Sequence, residues 1–259
     1  MKLEMAARVD QGRRPYNDDR AMLIDQILES GVARARGGTP VAAVVCDGCG
    51  GYRGGGYAAE TVLGALKDAL PALLSGVEQT MQGVFASAEE AIDQGKRAYP
   101  PYADMCTTIV GCVFLEEGTR IFHAGDSRCY RYDGYSLARM TVDHSLVQEM
   151  VDMGRLTEEE AAVSPRRNVI TRCMGIHALA PDIYVSSAPI WEGETYLLCS
   201  DGFWESVTPA QIKEMLARDI PLAEKAEELV ELALSQGSDD NVTVCLVTRI
   251  PEDSADTEA

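Results

Sequence analysis

The sequence predicts an α+β fold, with strands and helices in separate blocks rather than in alternation. Three observations carry this. Short apolar and β-branched runs follow one another through hairpin turn signals. Helical spacing occurs in two paired blocks, residues 57–74 with 77–98 and residues 209–217 with 223–236. Several apolar runs also stop at an acidic residue, most plainly VAAVVCDG, where a continuous run ends at Asp47-Gly48 as a strand buried on both faces would.

In chain order, residues 1–9 alternate loosely and predict a strand. The loop DQGRRPYNDD then brings Arg13 and Arg14 close to Asp18 and Asp19, before a strand expected over 21–28. Arginine is the side chain best suited to bidentate phosphate binding. A surface salt-bridge cluster is the alternative at this point. Residues 31–39 read as a hairpin loop leading into the core strand and Asp47, followed by Gly48, Gly50 and Gly51. The helix over 57–74 places Ala58, Val62, Leu66, Ala69, Leu70 and Leu73 on its apolar positions. That helix and the one over 77–98 carry no ligand constellation and read as packing elements.

Strands over 105–115, 120–124, 127–132 and 137–140 form a meander, with Asp133-Gly134 as a hairpin turn and an interruption at Gly125-Asp126. The meander leads to TVDHS, where His144 is a candidate metal ligand or acid–base group, and equally a structural histidine. Residues 146–167 change character. Two short helical stretches, 146–153 and 157–162, are charged, and Thr157 with Glu160 forms a capping box. Lying between strand regions, this insert predicts a flap. Short strands are expected at 169–174 and 182–187, and the strand at 195–200 ends at Asp201. Beyond the second helical block, Asp239-Asp240 opens the last strand, 241–250. Residues 251–259 are acidic, lack large apolar side chains and predict a disordered tail. No linker divides the chain, so one domain is expected over 1–250.

Composition narrows the function. A hydrophobic fraction of 46% over 259 residues suffices for a sizeable core. A net charge of −18 argues against a nucleic-acid surface and against adhesion to anionic membranes. The stretch MKLEMAARVD has no secretory apolar core, no run is long enough to span a bilayer, and a cytoplasmic protein is expected. Of the eight cysteines, Cys46, Cys106, Cys112, Cys129, Cys199 and Cys245 lie in strand-like runs and read as small buried hydrophobes. Cys46 and Cys49 form a CxxC with no second ligand pair, a weak signal for zinc.

Asp47, Asp126, Asp201 and Asp240 all stand at strand edges. Carboxylates converging on one place suit hard cations, which prefer oxygen ligands. Two such ions with a water between them are a standard device for phosphoester hydrolysis, and an arginine such as Arg14 would then grip the phosphoryl group.

Eight motifs in order make the chain resemble the PPM family, the type 2C metal-dependent Ser/Thr protein phosphatases, in its compact bacterial form. They are DQGRRPYNDD, VVCDGCGG, TTIVG, AGDSRCYRY, TVDHS, NVITRCMG, LLCSDGFWESV and SDDNVTV. The resemblance implies a central antiparallel β-sandwich flanked by helices in four layers, α-β-β-α, with the 146–167 flap beside the site. It implies two core Mn²⁺ or Mg²⁺ ions and a possible third. Asp47 would bridge the core pair, with the Gly48 carbonyl on one ion and Asp201 and Asp240 on the other. Asp19, with Asp18, would bond metal-held waters, Asp126 would help hold the third ion, and Arg14 would bind the substrate phosphate. The expected partners are phosphorylated proteins, substrates of a Ser/Thr kinase, and the expected state is a monomer. Cys49 stands where some eukaryotic members carry a proton-donating histidine, so no protein general acid is assigned. A thiol there is a candidate for inhibition by peroxide or Zn²⁺, although a disulfide with Cys46 is disfavoured because Cys46 is expected to point into the core. The alternatives are a non-catalytic phosphoprotein- or partner-binding member of the fold and a hydrolase of small phosphate esters.

Overall fold

The structure, a computed structural model, describes residues 1–49, 54–176 and 180–252. The strands are β1 (Lys2–Asp10), β2 (Asp19–Leu23), β3 (Gln26–Leu28), β4 (Gly31–Gly38), β5 (Val41–Asp47), β6 (Ile109–Leu115), β7 (Gly118–Ala124), β8 (Arg128–Tyr132), β9 (Leu137–Arg139), β10 (Asp182–Ser186), β11 (Thr195–Cys199) and β12 (Val242–Ile250). The helices are α1 (Gly55–Asp68), α2 (Leu70–Leu73), α3 (Glu78–Ala98), α4 (Leu146–Asp152), α5 (Glu158–Ala162), α6 (Asp201–Trp204), α7 (Pro209–Leu216) and α8 (Leu222–Ser235).

The strands form two sheets, in the orders β4-β1-β12-β11-β8-β9 and β10-β7-β6-β5-β2-β3. Every named pair is antiparallel. The sheets pack face to face over Leu3, Met5, Ala43, Val45, Phe114 and Leu198. The outer face of one sheet carries α1, α2 and α3 through Val62, Leu66, Met81 and Phe85. The outer face of the other carries α6, α7 and α8 through Phe203, Ile212, Leu229 and Val230. The layers are therefore α-β-β-α. This explains the unbroken apolar run of β5: Ala43 and Val45 face the inter-sheet core, while Ala42, Val44 and Cys46 face the helices. A strand covered on both sides has no polar positions to alternate.

Local chemistry sets the boundaries. Thr157 caps α5 in the expected capping box, and Thr208 with Gln211 makes a second at α7. The apolar pattern over 57–74 divides at Ala69, with Pro71 in the first turn of α2. Residues 31–39 are not a hairpin loop but the edge strand β4, paired with β1 from Lys2–Gly38 to Val9–Gly31. Its small residues hid a period-two pattern in which Ala33 and Ala35 face the core. The expected strand over 21–28 is a hairpin, broken where Ile24 takes φ 58°. Residues 169–174 form no strand, only isolated bridges from Ile170 to Ser145, from Cys173 to Ile176 and from Met174 to Thr107. Helix α6 was not foreseen, because four residues are too few to show a period. Gly50, Gly51 and tail residues 253–259 lie outside the described residues.

Candidate active site

The acidic strand ends meet at one edge of the sandwich. Asp19 opens β2 and Asp47 closes β5, and the two are Cα partners across that pair. In the other sheet β11 ends at Cys199, turns through Ser200 and starts α6 at Asp201. Asp240 lies just before β12, and Asp126 lies in the turn between β7 and β8. Two glycines allow the close approach. A Cβ on Gly202 would stand 2.1 Å from the Asn241 carbonyl oxygen, and one on Gly48 would stand 2.2 Å from the Gly55 carbonyl carbon. No other residue fits at either position.

Neutral groups hold the acids in place. Ser200 Oγ donates to Asp19 Oδ2 at 2.7 Å and accepts from the Thr243 amide at 3.0 Å. Asn241 fastens the arginine loop: its Nδ2 donates to the Gln11 and Tyr16 carbonyls at 2.8 and 2.9 Å. Its Oδ1 accepts from the Asp18 amide at 2.9 Å. The Asp18 carboxylate accepts from the Gly56 amide at 2.7 Å, at the start of α1. Arg14 Nη2 donates to Asp240 Oδ2 at 2.6 Å. Behind Asp126, its carbonyl accepts from Trp204 Nε1 at 2.9 Å. The Arg128 guanidinium covers that indole at 3.4 Å and binds the buried Asp143 carboxylate through both Nε and Nη2.

The acids raise one another's pKa values. Burial pushes Asp47 well above the usual carboxylate range, and the charges of Asp19, Asp201, Asp126 and Asp240 push the same way. Burial likewise raises Asp126, with Asp201 adding to it. Burial lifts Asp19 to about 7 against the hydrogen bond from Ser200. Asp201 is lifted to about 6 by burial and then by Asp240. Two oxygens, Asp19 Oδ1 and Asp126 Oδ1, are buried with no hydrogen-bond partner. Buried polar atoms are rarely left alone. Orphaned oxygens inside a knot of mutually repelling carboxylates match the donor chemistry of a hard dication. The residues gathered at this edge are Asp47, Gly48, Asp201, Asp240 and Asp126, with Asp19 behind them.

All of these except Asp19 line one cleft of about 1030 Å³, together with Arg14, Tyr16, Asn168 and Ile170. Arg13 is not among its lining residues. His144 is not either. Its Nδ1 accepts from the Gly125 amide at 3.2 Å, its Nε2 meets Asp182 at 3.1 Å, and it stacks on His123 at 4.4 Å. Both ring nitrogens are thereby engaged beneath the Asp126 turn, and the ligand atoms of His144, His123 and Asp182 lie within 4.8 Å of one another. Cys46 points into the helix-side core, as expected. Cys49 has neighbours that the sequence reading missed: its Sγ lies with those of Cys106 and Cys173, all within 4.8 Å of one another. The only available signal was that each cysteine flanks a cleft motif, CDGC, CTTIVG or TRCMG.

The Protein phosphatase 2C family matches residues 18–242. The chain is 32% identical to the serine/threonine phosphatase stp of Listeria monocytogenes over 249 residues, covering 93% of this chain and 94% of that one. It is 34% identical over 263 residues to the serine/threonine protein phosphatase PstP of Mycobacterium tuberculosis, covering 99% of this chain and 47% of PstP. The crystal structure of that phosphatase superposes with a TM-score of 0.82 at 32% identity, covering 96% of this chain and 99% of the solved one. A structure of the PstP catalytic domain in complex with two manganese ions superposes with a TM-score of 0.78 at 30% identity, covering 97% and 100%. The chain belongs to the Protein phosphatase 2C family, and its class is that of the serine/threonine phosphatases.

Proposed function

We propose that this cleft hydrolyses phosphoserine and phosphothreonine in proteins with the help of two Mn²⁺ or Mg²⁺ ions. The observation that carries the assignment is the meeting of Asp47, Asp126, Asp201 and Asp240 on one cleft, with buried carboxylate oxygens left unpartnered. In this reading Asp47, the Gly48 carbonyl, Asp201 and Asp240 would hold the two core ions, and Asp126 would help hold a third, weaker one. Bound there, the ions supply a nucleophilic water at neutral pH and neutralise charge on the phosphoryl oxygens.

The remaining work falls to the chain's own side chains. Arg14, half-exposed beside Asp240, is free to exchange that carboxylate for a phosphate dianion and to orient it bidentately. Asn241 fixes the loop that carries Arg14, so the guanidinium is presented from a defined backbone. Asp19, oriented by Ser200, keeps one oxygen available toward the ions or their waters.

Phosphorylated proteins made by a Ser/Thr kinase are the proposed substrates, and a cytoplasmic monomer is the proposed state. Among the described residues no helix is long and apolar enough to cross a membrane. The test is turnover of phosphothreonine peptides against free phosphothreonine and p-nitrophenyl phosphate, with Mn²⁺. The expected result is a kcat/KM at least roughly tenfold higher for peptides, because binding energy from flanking residues serves the reacting centre. Equal values would favour the small-ester hydrolase. Tight peptide binding without turnover would favour the non-catalytic alternative.

A further inference from the structure

The trio Cys49, Cys106 and Cys173 has no role in the reading above. The three cysteines come from separate segments: just beyond β5, the approach to β6, and the loop that follows the α4–α5 insert. Backbone bonds hold these segments together without help from the thiols. The Cys49 amide donates to the Cys106 carbonyl at 2.9 Å. The Thr107 amide donates to the Met174 carbonyl at 3.1 Å, and the Met174 amide donates back to Thr107 at 2.8 Å. The sulfurs therefore meet on a framework that exists before anything binds. All three are free thiols, and all three line the cleft. Lys96, whose ammonium donates to the Gly175 carbonyl, places a positive charge beside Cys106.

Thiolates select soft cations and carboxylates select hard ones. Zinc bound by thiolates at about 2.3 Å in tetrahedral geometry sets its sulfurs about 3.8 Å apart. Sulfurs already within 4.8 Å of one another need only small side-chain rotations to reach that spacing. Three protein ligands leave a fourth position, as in sites that exchange a ligand with solvent. One wall of the cleft thus carries two donor sets of opposite softness, and Cys49 is two residues from Asp47.

We propose that Cys49, Cys106 and Cys173 bind one thiophilic cation of the Zn²⁺ or Cu⁺ class, and that its occupancy inhibits the adjacent carboxylate site. Binding exchanges the thiol protons, released to solvent, for metal–sulfur bonds. Drawing the Cys49 sulfur into a coordination sphere fixes the 47–49 backbone, whose Asp47 carbonyl already accepts from Thr107 Oγ1 at 2.9 Å. Three thiolates on one such cation are net anionic, so the occupied site also repels an approaching phosphate dianion. The inhibitory half rests on the phosphatase assignment, whereas the binding half does not.

The experiment titrates Cd²⁺, a soft stand-in, into Mn²⁺-saturated full-length protein under a non-thiol reductant. It follows the thiolate-to-metal charge-transfer band in the ultraviolet. The expected result is one equivalent per chain in the wild type and in Cys112→Ala, which lies outside the trio, and loss of the band in Cys106→Ser and Cys173→Ser. Should one serine variant fail to fold, as judged by circular dichroism, the other carries the test. In parallel, the Zn²⁺ concentration that halves phosphopeptide turnover should rise in those variants by at least the roughly tenfold that loss of even an outer partner of a metal ligand causes. A missing band at one equivalent, a band that survives in Cys106→Ser and Cys173→Ser, or unchanged zinc sensitivity would overturn the proposal. The band is read without any turnover, so failure of the thiol site is distinguishable from failure of the phosphatase assignment.

Discussion

Asp19 and Asp47 face each other across adjacent antiparallel strands, as the first residue of β2 and the last residue of β5. Burial raises the Asp47 pKa, and the Asp19 charge is the largest of the neighbouring charges that raise it further. Two carboxylates at one rung of a sheet are destabilising unless something positive joins them. At the start of α6, the charge of Asp240 likewise adds to burial in raising Asp201. The edge of the sandwich is thus a knot of mutually repelling carboxylates, and the consequences are measurable.

Metal-free protein should lose stability as pH rises. An aspartate titrates near 3.9 in an unfolded chain, whereas folding lifts Asp19 to about 7 and Asp201 to about 6 and raises Asp47 and Asp126. Between those values the folded protein holds more protons than the unfolded one, so stability is greatest at the acid end and declines as pH climbs through the folded values. The melting temperature in EDTA should fall between about pH 4.5 and about pH 7.5, a window set by the same titrations. Saturating Mn²⁺ should flatten the profile. A melting temperature in EDTA that rises over this window would show that the carboxylates are not strained by one another.

Asp201→Asn and Asp240→Asn should each weaken Mn²⁺ binding and lower kcat/KM by roughly a hundredfold or more, since a catalytic ion contributes several kcal/mol at about 1.4 kcal/mol per tenfold. The metal-free fold should survive, because each change removes a charge from a repelling group. Titration calorimetry with Mn²⁺ and peptide kinetics report the two effects separately. Wild-type affinity in either variant would remove that residue from the metal set.

Arg14→Ala should raise KM for a phosphothreonine peptide with less effect on kcat, the signature of lost ground-state binding. A charged hydrogen bond of about 1.5–3 kcal/mol corresponds to a rise of roughly ten- to a hundredfold. Arg13→Ala should leave KM unchanged, because Arg13 does not line the cleft. The opposite pattern would move the phosphate contact by one residue.

Arg128→Met should destabilise the protein by up to about 3–5 kcal/mol, the cost of breaking a buried ion pair, because it leaves Asp143 only a 3.5 Å ion pair with Arg139. Asp143 is only 8% exposed and takes its strongest contact from Arg128 at 2.6 Å. Arg128 also covers Trp204, which holds the Asp126 carbonyl. Urea unfolding measures the loss, and a change below about 1 kcal/mol, the value of an exposed pair, would show the clamp to be dispensable.

The sequence announced most of this architecture because the core strands are covered on both faces. The runs ending at Asp47 and Cys199 are uninterrupted apolar stretches, and an acid at the end of such a run stands out. The edge strand β4 was harder to see. Its alternating alanines and arginines form a strand only because β1 supplies the pairing. Residues 169–174 deceived in the other direction: the apolar pattern there serves isolated bridges to Ser145, Thr107 and Ile176. The acids at the site were legible one by one. Their supports, Ser200 beneath Asp19 and Asn241 across the arginine loop, were not, because each acts between segments distant in sequence. The cysteine trio is the extreme case, since only the tertiary fold brings the three segments together.

Turnover of a phosphothreonine peptide by EDTA-stripped protein, titrated back with Mn²⁺, tests the central claim most directly. The carboxylate edge offers oxygen donors to the ions, and no protein nucleophile is assigned to the reaction. Hydrolysis should be absent after stripping, return with Mn²⁺, and fail to return in Asp47→Asn at the same concentration. Full turnover by the stripped protein, or full recovery in Asp47→Asn, would contradict the account.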